Sequence, residues 1–193
     1  VPRITAPTVA EHRSAQRAAL LRAAAEVIVE DGVAAATPSK VGERAGIARS
    51  TVYDYFASRE ELLVAVAINA FEEWGRDMSA ALEGAPPGLP RLHRYVEATI
   101  ALSTDGRHDL ATAMRPADLS PSRREEIVAL HDALVGPLMA VLAEAGVQTP
   151  AEYAPYVQAM IGVGLARVAA GDAPDEVAAR LNRIVTDGLP RGA

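Results

Sequence analysis

Thr37 to Phe56 reads TPSKVGERAGIARSTVYDYF, and two short helices joined by a glycine turn are legible in it. Thr37 offers a hydroxyl oxygen to an N–H of the first helical turn. Pro38 fits the first helical position because the N–H it lacks is one that a helix start leaves unbonded. The helix so opened is expected to run to about Ala45, where Gly46 stops it, since glycine enters the left-handed conformation of a helix end at little cost. A second short helix is expected from about Arg49 to Tyr55. Val41, Ala45, Ile47 and Val52 are the apolar positions that hold the two against each other and against a preceding helix, and the small Gly42 and Ala45 allow a close approach. Two short helices meeting at such a turn can place the second in the major groove of DNA.

Upstream, Leu20, Leu21, Ala24, Ala25, Val27 and Ile28 recur at helical spacing, which predicts a helix over 11–31 that ends at Gly32, with Arg13, Arg17 and Arg22 off its apolar stripe. Downstream, Ser58-Arg59-Glu60-Glu61 has the form of a capping box. It opens a long helix to about Leu82, with Leu62, Leu63, Val66, Ala70, Phe71 and Trp74 on or near its buried side. Gly84 to Pro90 reads GAPPGLP, which predicts a loop. Further helices are expected over 91–103, 107–114, 121–145, 150–170 and 174–188, separated by breaks rich in proline and glycine. No segment alternates with period two. The predicted fold is therefore all-α, with about nine helices.

Composition agrees. Half of the 193 residues are hydrophobic and alanine supplies much of that share; alanine is the strongest helix former. There is no cysteine, which excludes disulfides, thiolate metal sites and cysteine nucleophiles. Val1 to Ala10 has neither a basic start nor an apolar run, so no signal peptide is read there. The uncharged stretch from Tyr153 to Ala166 is shorter than the roughly 20 residues that span a bilayer. A soluble, cytoplasmic protein without a membrane partner is expected. The net charge of −6 is unevenly spread. Residues 1–62 carry eight bases (Arg3, Arg13, Arg17, Arg22, Lys40, Arg44, Arg49, Arg59) and eight acids (Glu11, Glu26, Glu30, Asp31, Glu43, Asp54, Glu60, Glu61). That third is neutral, and a neutral segment can still be basic on one face.

Residues 17–66 resemble the DNA-binding region of TetR-family regulators. The shared pattern is AA-x-V-I-x-x-x-G at Ala24 to Gly32, V-x-x-x-A-G-I at Val41 to Ile47, T-V-Y-x-Y-F at Thr51 to Phe56 and S-R-E-E-L-L at Ser58 to Leu63. It covers about a quarter of the chain, in order and at the right spacing. The resemblance implies a helix-turn-helix DNA-binding domain over 11–57 and a helical regulatory and dimerisation domain over 58–190. Gly42 stands where the family usually has alanine, which weakens the helix by about 1 kcal/mol. Ala48 stands where a serine often caps the next helix, a loss on the order of 1 kcal/mol.

The contacts follow from chemistry. Arg49 opens the helix that enters the groove, where a guanidinium binds guanine N7 and O6 together. Ser50 and Thr51 can bond phosphate, and the Thr51 methyl can touch a thymine. The resemblance implies that Tyr53 and Tyr55 set phenols on the DNA backbone, and that Arg59 contacts it too. Thr37 and Lys40 reach phosphates from the preceding helix. Such backbone contacts position the protein while Arg49 and its neighbours specify sequence. A packing role competes for the aromatics: Phe56 reads as core, and Tyr53 as partly so. Asp54 repels phosphate, and either accepts from cytosine N4 or orients a neighbouring arginine.

For the larger domain the resemblance implies an effector and a dimer. The small and apolar residues of 150–170 and the stripe Val177, Leu181, Ile184, Val185 and Leu189 of 174–188 suit a four-helix interface between two copies; the alternative is that both stripes pack internally. Such a dimer reads a palindromic operator. Trp74, Met78, Met114, His131, Met139, Tyr156 and Met160 are candidate lining for a small-molecule site, with Arg115 as a polar anchor, and each has a plain packing role as its alternative. The expected activity is repression, released when an effector binds the form that does not hold DNA. A second reading replaces the effector with a protein partner. Enzymatic activity has little support. The four histidines are scattered, Gly162-Val163-Gly164 lacks the third glycine of a dinucleotide loop, and adjacent acids such as Glu72-Glu73 do not point together. No catalytic residue, metal ligand or cofactor is expected.

Overall fold

The computed structural model describes residues 9–103, 120–123, 125 and 135–188. Among them are eight α-helices and one short 3-10 turn, with no strand. The described residues fall into two compact units, one drawn from 1–69 and 110–127, the other from 70–109 and 128–193.

The first unit holds α1 (Val9–Asp31), the 3-10 turn (Val33–Ala35), α2 (Pro38–Ala45), α3 (Arg49–Tyr53) and the start of α4 (Arg59–Leu82). Leu20, Leu21, Ala24, Val27 and Ile28 form the buried stripe of α1, and they share the core with Val41, Val52, Phe56, Leu62 and Leu63. Thr37 caps α2: its Oγ1 accepts from the Lys40 N–H at 3.3 Å, with Pro38 at the first position. Gly46 ends α2 in the left-handed region at φ 68°, and the Ile47 N–H donates to the Gly42 carbonyl at 2.8 Å. A Cβ on Gly42 would stand 2.6 Å from the Ile47 carbonyl oxygen and 3.2 Å from Val52, so the missing side chain is what lets this turn close.

Two boundaries differ from expectation. Helix α3 stops at Tyr53 because the next N–H groups tighten: Asp54 donates to Thr51 and Tyr55 to Val52, three residues back. Helix α5 (Leu89–Ser103) begins inside the GAPPGLP stretch, since Pro90 fits a first turn. The capping box forms in a variant way. The Glu61 N–H donates to Ser58 Oγ at 3.1 Å, while the Glu61 carboxylate accepts from Ala57 N–H at 2.8 Å, one residue earlier than the usual partner. The helix expected over 107–114 lies outside the described residues, and that over 121–145 is helical wherever it is described up to Glu144.

The second unit packs the end of α4 with α5, α6 (Val135–Glu144), α7 (Pro150–Ala169) and α8 (Pro174–Gly188). Met78, Leu92, Val96, Ile100, Leu138, Leu142, Val157, Ile161, Val177, Leu181 and Val185 fill its core. Gly164 admits α8 closely: a Cβ there would lie 2.8 Å from Leu181 and 3.0 Å from Val177. One polar seam crosses the apolar contact of α5 and α8, where the buried Asn182 amide donates to Glu97 at 3.1 Å and to the His93 carbonyl at 3.4 Å.

Candidate nucleic-acid interface

The neutral charge count of the first unit conceals a sorted arrangement. Arg44 on α2 makes two bonds to the Glu30 carboxylate at 2.6 and 3.1 Å and one to Glu26 at 3.3 Å. The hydrogen bonds and charge of Arg44 hold the Glu30 carboxyl below the usual carboxylate range, and push the Arg44 guanidinium pKa up in turn. Lys40 pairs with Asp31 at 2.9 Å. Glu60 accepts from the Ser120 backbone N–H at 2.7 Å and from its hydroxyl. Among the described residues, Arg13, Arg17, Arg22 and Arg49 pair with no carboxylate.

Helix α3 presents its polar side outward. Arg49, Ser50 and Tyr53 are exposed and Thr51 is half-buried. The Arg49 guanidinium lies 5.8 Å over the Tyr53 ring, a stacking that fixes its direction without consuming its N–H donors. Tyr53 is 43% exposed, more than a core role allows, whereas Phe56 is buried as expected. Ala48 supplies no cap to α3.

Several expected contacts are already engaged inside the protein. Lys40 is held by Asp31, and Thr37 Oγ1 serves as the cap. The Tyr55 hydroxyl donates to Gln16 Oε1 at 2.7 Å. Arg59 donates to the Ala36 carbonyl at 3.1 Å and the Val33 carbonyl at 2.6 Å, clasping the 3-10 turn to the start of α4. A half-buried guanidinium or phenol must find acceptors where it lies; for Arg59 the turn's backbone carbonyls supply them, Val33 accepting it beside the Ala36 N–H. Asp54 also takes an unforeseen part: its backbone carbonyl, not its carboxylate, receives Arg13 at 3.3 Å. Arg13 and Arg17 on α1 stack on Tyr55 and Phe56. Sequence reading noted only that both lie off the apolar stripe.

Among the described residues, the candidate effector residues differ in setting. Met78 is buried core, and Trp74 and Met160 are half-buried against that core, with Trp74 edge-on to Tyr95 at 6.4 Å. Tyr156 stands apart from that core. It is 69% exposed, because Ala154, Val157 and Ile161 set the buried side of α7 and Tyr156 falls on the opposite one. Met139, also considered as lining, is exposed on α6. Met114, Arg115 and His131 lie outside the described residues. An open groove of about 460 Å³ between the ends of α4 and α6 is lined by Ser79, Leu82, Arg91, Pro137, Val141 and Glu144 among others, and by none of those candidates.

No helix among the described residues is long and apolar enough to cross a membrane. Comparison with known proteins bears on the rest. Residues 20–66 match the family model described as bacterial regulatory proteins, tetR family. The chain is 34% identical over 86 residues to the HTH-type transcriptional activator FasR of Mycolicibacterium smegmatis, a match that takes in 45% of this chain and 39% of that protein. Its fold is shared with FadR of Bacillus subtilis, solved with stearoyl-CoA, at a TM-score of 0.75 and 19% identity over 90% of this chain and 99% of the other. It is likewise shared with the TetR-like LfrR of Mycobacterium smegmatis, solved with proflavine, at 0.69 and 23% identity over 94% and 99%. The match over residues 20–66 makes that segment similar to bacterial regulatory proteins of the tetR family, and the all-α fold is one that solved transcriptional regulators share.

Proposed function

We propose that the protein is a ligand-responsive transcriptional regulator that holds a palindromic operator as a homodimer and is released from it by a small-molecule effector. The observation that carries this reading is α3, which turns Arg49, Ser50 and Tyr53 outward while Glu26, Glu30, Asp31, Glu60 and Glu61 of the same unit are tied to Arg44, Lys40 and backbone N–H groups. Thr37, Lys40, Thr51, Tyr55 and Arg59 then act chiefly by fixing the reading head, and the phosphate roles of Tyr55 and Arg59 recede.

The homodimer is supported by α7. Tyr156, Ala159, Val163 and Ala166 share its outward side and are exposed in the single chain, and Ile184 on α8 of the same unit is exposed as well. Of the remaining α8 stripe, Val177, Leu181 and Val185 lie in the unit's own core and Leu189 lies outside the described residues, so α7 carries most of the pairing surface. An effector is supported by the solved relatives of this fold, since FadR holds stearoyl-CoA and LfrR holds proflavine. Repression is the direction proposed, although FasR bears the description of an activator; a reporter gene behind the operator rises on deletion of a repressor and falls on deletion of an activator. The second reading, in which a protein partner takes the place of the effector, draws on the same exposed α7 side.

Fluorescence anisotropy on DNA from the region upstream of the protein's own gene tests the reading. Salt-sensitive binding to one fragment is expected. Arg49→Ala is expected to cost about 1–3 kcal/mol on that fragment and little on random DNA. A protein that binds no fragment better than random DNA contradicts it.

A further inference from the structure

We propose that Arg13, on α1, is a phosphate-binding residue of the DNA interface, presented at the far end of α3 by the Tyr55 ring and the Asp54 carbonyl. The inference rests on the reading of α3 as the DNA-facing helix and extends that surface to an element with no assigned part in it.

Three arginines that pair with no carboxylate among the described residues lie over three aromatic rings of residues 53–56: Arg49 on Tyr53 at 5.8 Å, Arg13 on Tyr55 at 5.1 Å and Arg17 on Phe56 at 5.6 Å. Arg13 is distinguished by a second hold. Its Nη2 donates at 3.3 Å to the carbonyl of Asp54, the residue that ends α3. Arg49 opens α3 and Arg13 sits at its close, so the two guanidinium groups bracket the helix.

The chemistry of the Tyr55 pair favours Arg13 as the outward partner. The Tyr55 hydroxyl is turned to Gln16 Oε1 at 2.7 Å, which fixes the ring and engages its donor. The exposed guanidinium lies over that ring. Stacking occupies its face, and the Asp54 bond takes one of its five N–H groups. The remaining donors form a planar fork of the kind that matches phosphate oxygens. Asp54 strengthens the case, because its exposed carboxylate at the end of α3 repels a DNA strand and a cation held on its own carbonyl offsets that repulsion.

Salt-dependent binding of the full chain to a random-sequence duplex tests the role, because such binding is almost wholly electrostatic and its salt slope counts neutralised phosphates. Arg13→Ala and Arg13→Gln are each expected to weaken binding several-fold and to flatten the slope by about 1. Arg13→Lys should keep the slope. Arg22→Ala, at an exposed arginine of α1 outside the aromatic series, should leave slope and affinity unchanged. The glutamine variant keeps a donor for the Asp54 carbonyl, and a urea midpoint equal to that of the unaltered protein separates a slope change in it from misfolding. An unchanged slope in Arg13→Gln, or an equal change in Arg22→Ala, overturns the proposal while leaving α3 as the reading helix. Absence of salt-dependent binding by the unaltered protein overturns both.

Discussion

Gly42 and Tyr95 show what single positions demand. On propensity, glycine within α2 costs the helix about 1 kcal/mol relative to alanine. In the structure the Ile47 carbonyl stands where a side chain would begin, so an alanine at this position requires the turn to stand slightly farther off. Gly42→Val is expected to destabilise the reading head by about 1–3 kcal/mol, the usual range for overpacking, as a lowered urea midpoint; an unchanged midpoint would show that the turn yields freely. Tyr95 is 4% exposed in the core of the second unit, and burial pushes its phenol up to about 12. The unfolded chain ionises this group near 10, so the contribution is intact below that pH and is lost as pH rises toward 12. Stability should therefore fall between about pH 10 and pH 12, and Tyr95→Phe should reduce the fall. An equal decline in the variant would assign it to other groups.

Among the elements, α7 carries the sharpest contrast between its two sides. Ala154, Val157, Ile161 and Gly164 face the core, while Tyr156 and Val163 are 69% and 65% exposed. Val163→Asp removes nothing from the core, so its effect on a single folded chain should stay within about 0.5 kcal/mol. If this side pairs two copies, the variant should sediment near the 20.3 kDa of one chain and the unaltered protein near twice that mass. A variant that sediments with the unaltered protein would move the interface elsewhere. The element scale is also where the sequence was most legible. Thr37, Pro38, Gly46, Ser58 and Glu61 act locally, and each marks the helix end that its chemistry predicts. Partners distant in sequence were not legible. Gln16 takes the Tyr55 hydroxyl from 39 positions away, and the Val33 and Ala36 carbonyls take Arg59 from 26 and 23. Nothing in local periodicity says which acceptor a half-buried phenol or guanidinium will meet. The two-sided use of α7 was hidden for a related reason: small residues such as Ala154 and Ala159 look alike in sequence yet fall on opposite sides of one helix.

At the scale of the molecule, a chain of net charge −6 can offer an anionic partner a basic face through the sorting of its charges. Arg44 and Lys40 neutralise Glu26, Glu30 and Asp31 within the first unit, and the arginines left over gather on α1 and α3. Total charge then sets solubility and long-range field, while the local face sets binding. In the proposed symmetric dimer, two such faces would engage half-sites about one DNA turn apart. Selection of bound duplexes from a random-sequence library tests this account most directly. It is expected to enrich one sequence with two-fold related half-sites, each containing a guanine whose preference is lost in Arg49→Ala. A library that passes through repeated rounds with no sequence enriched would contradict the claim that this protein reads DNA.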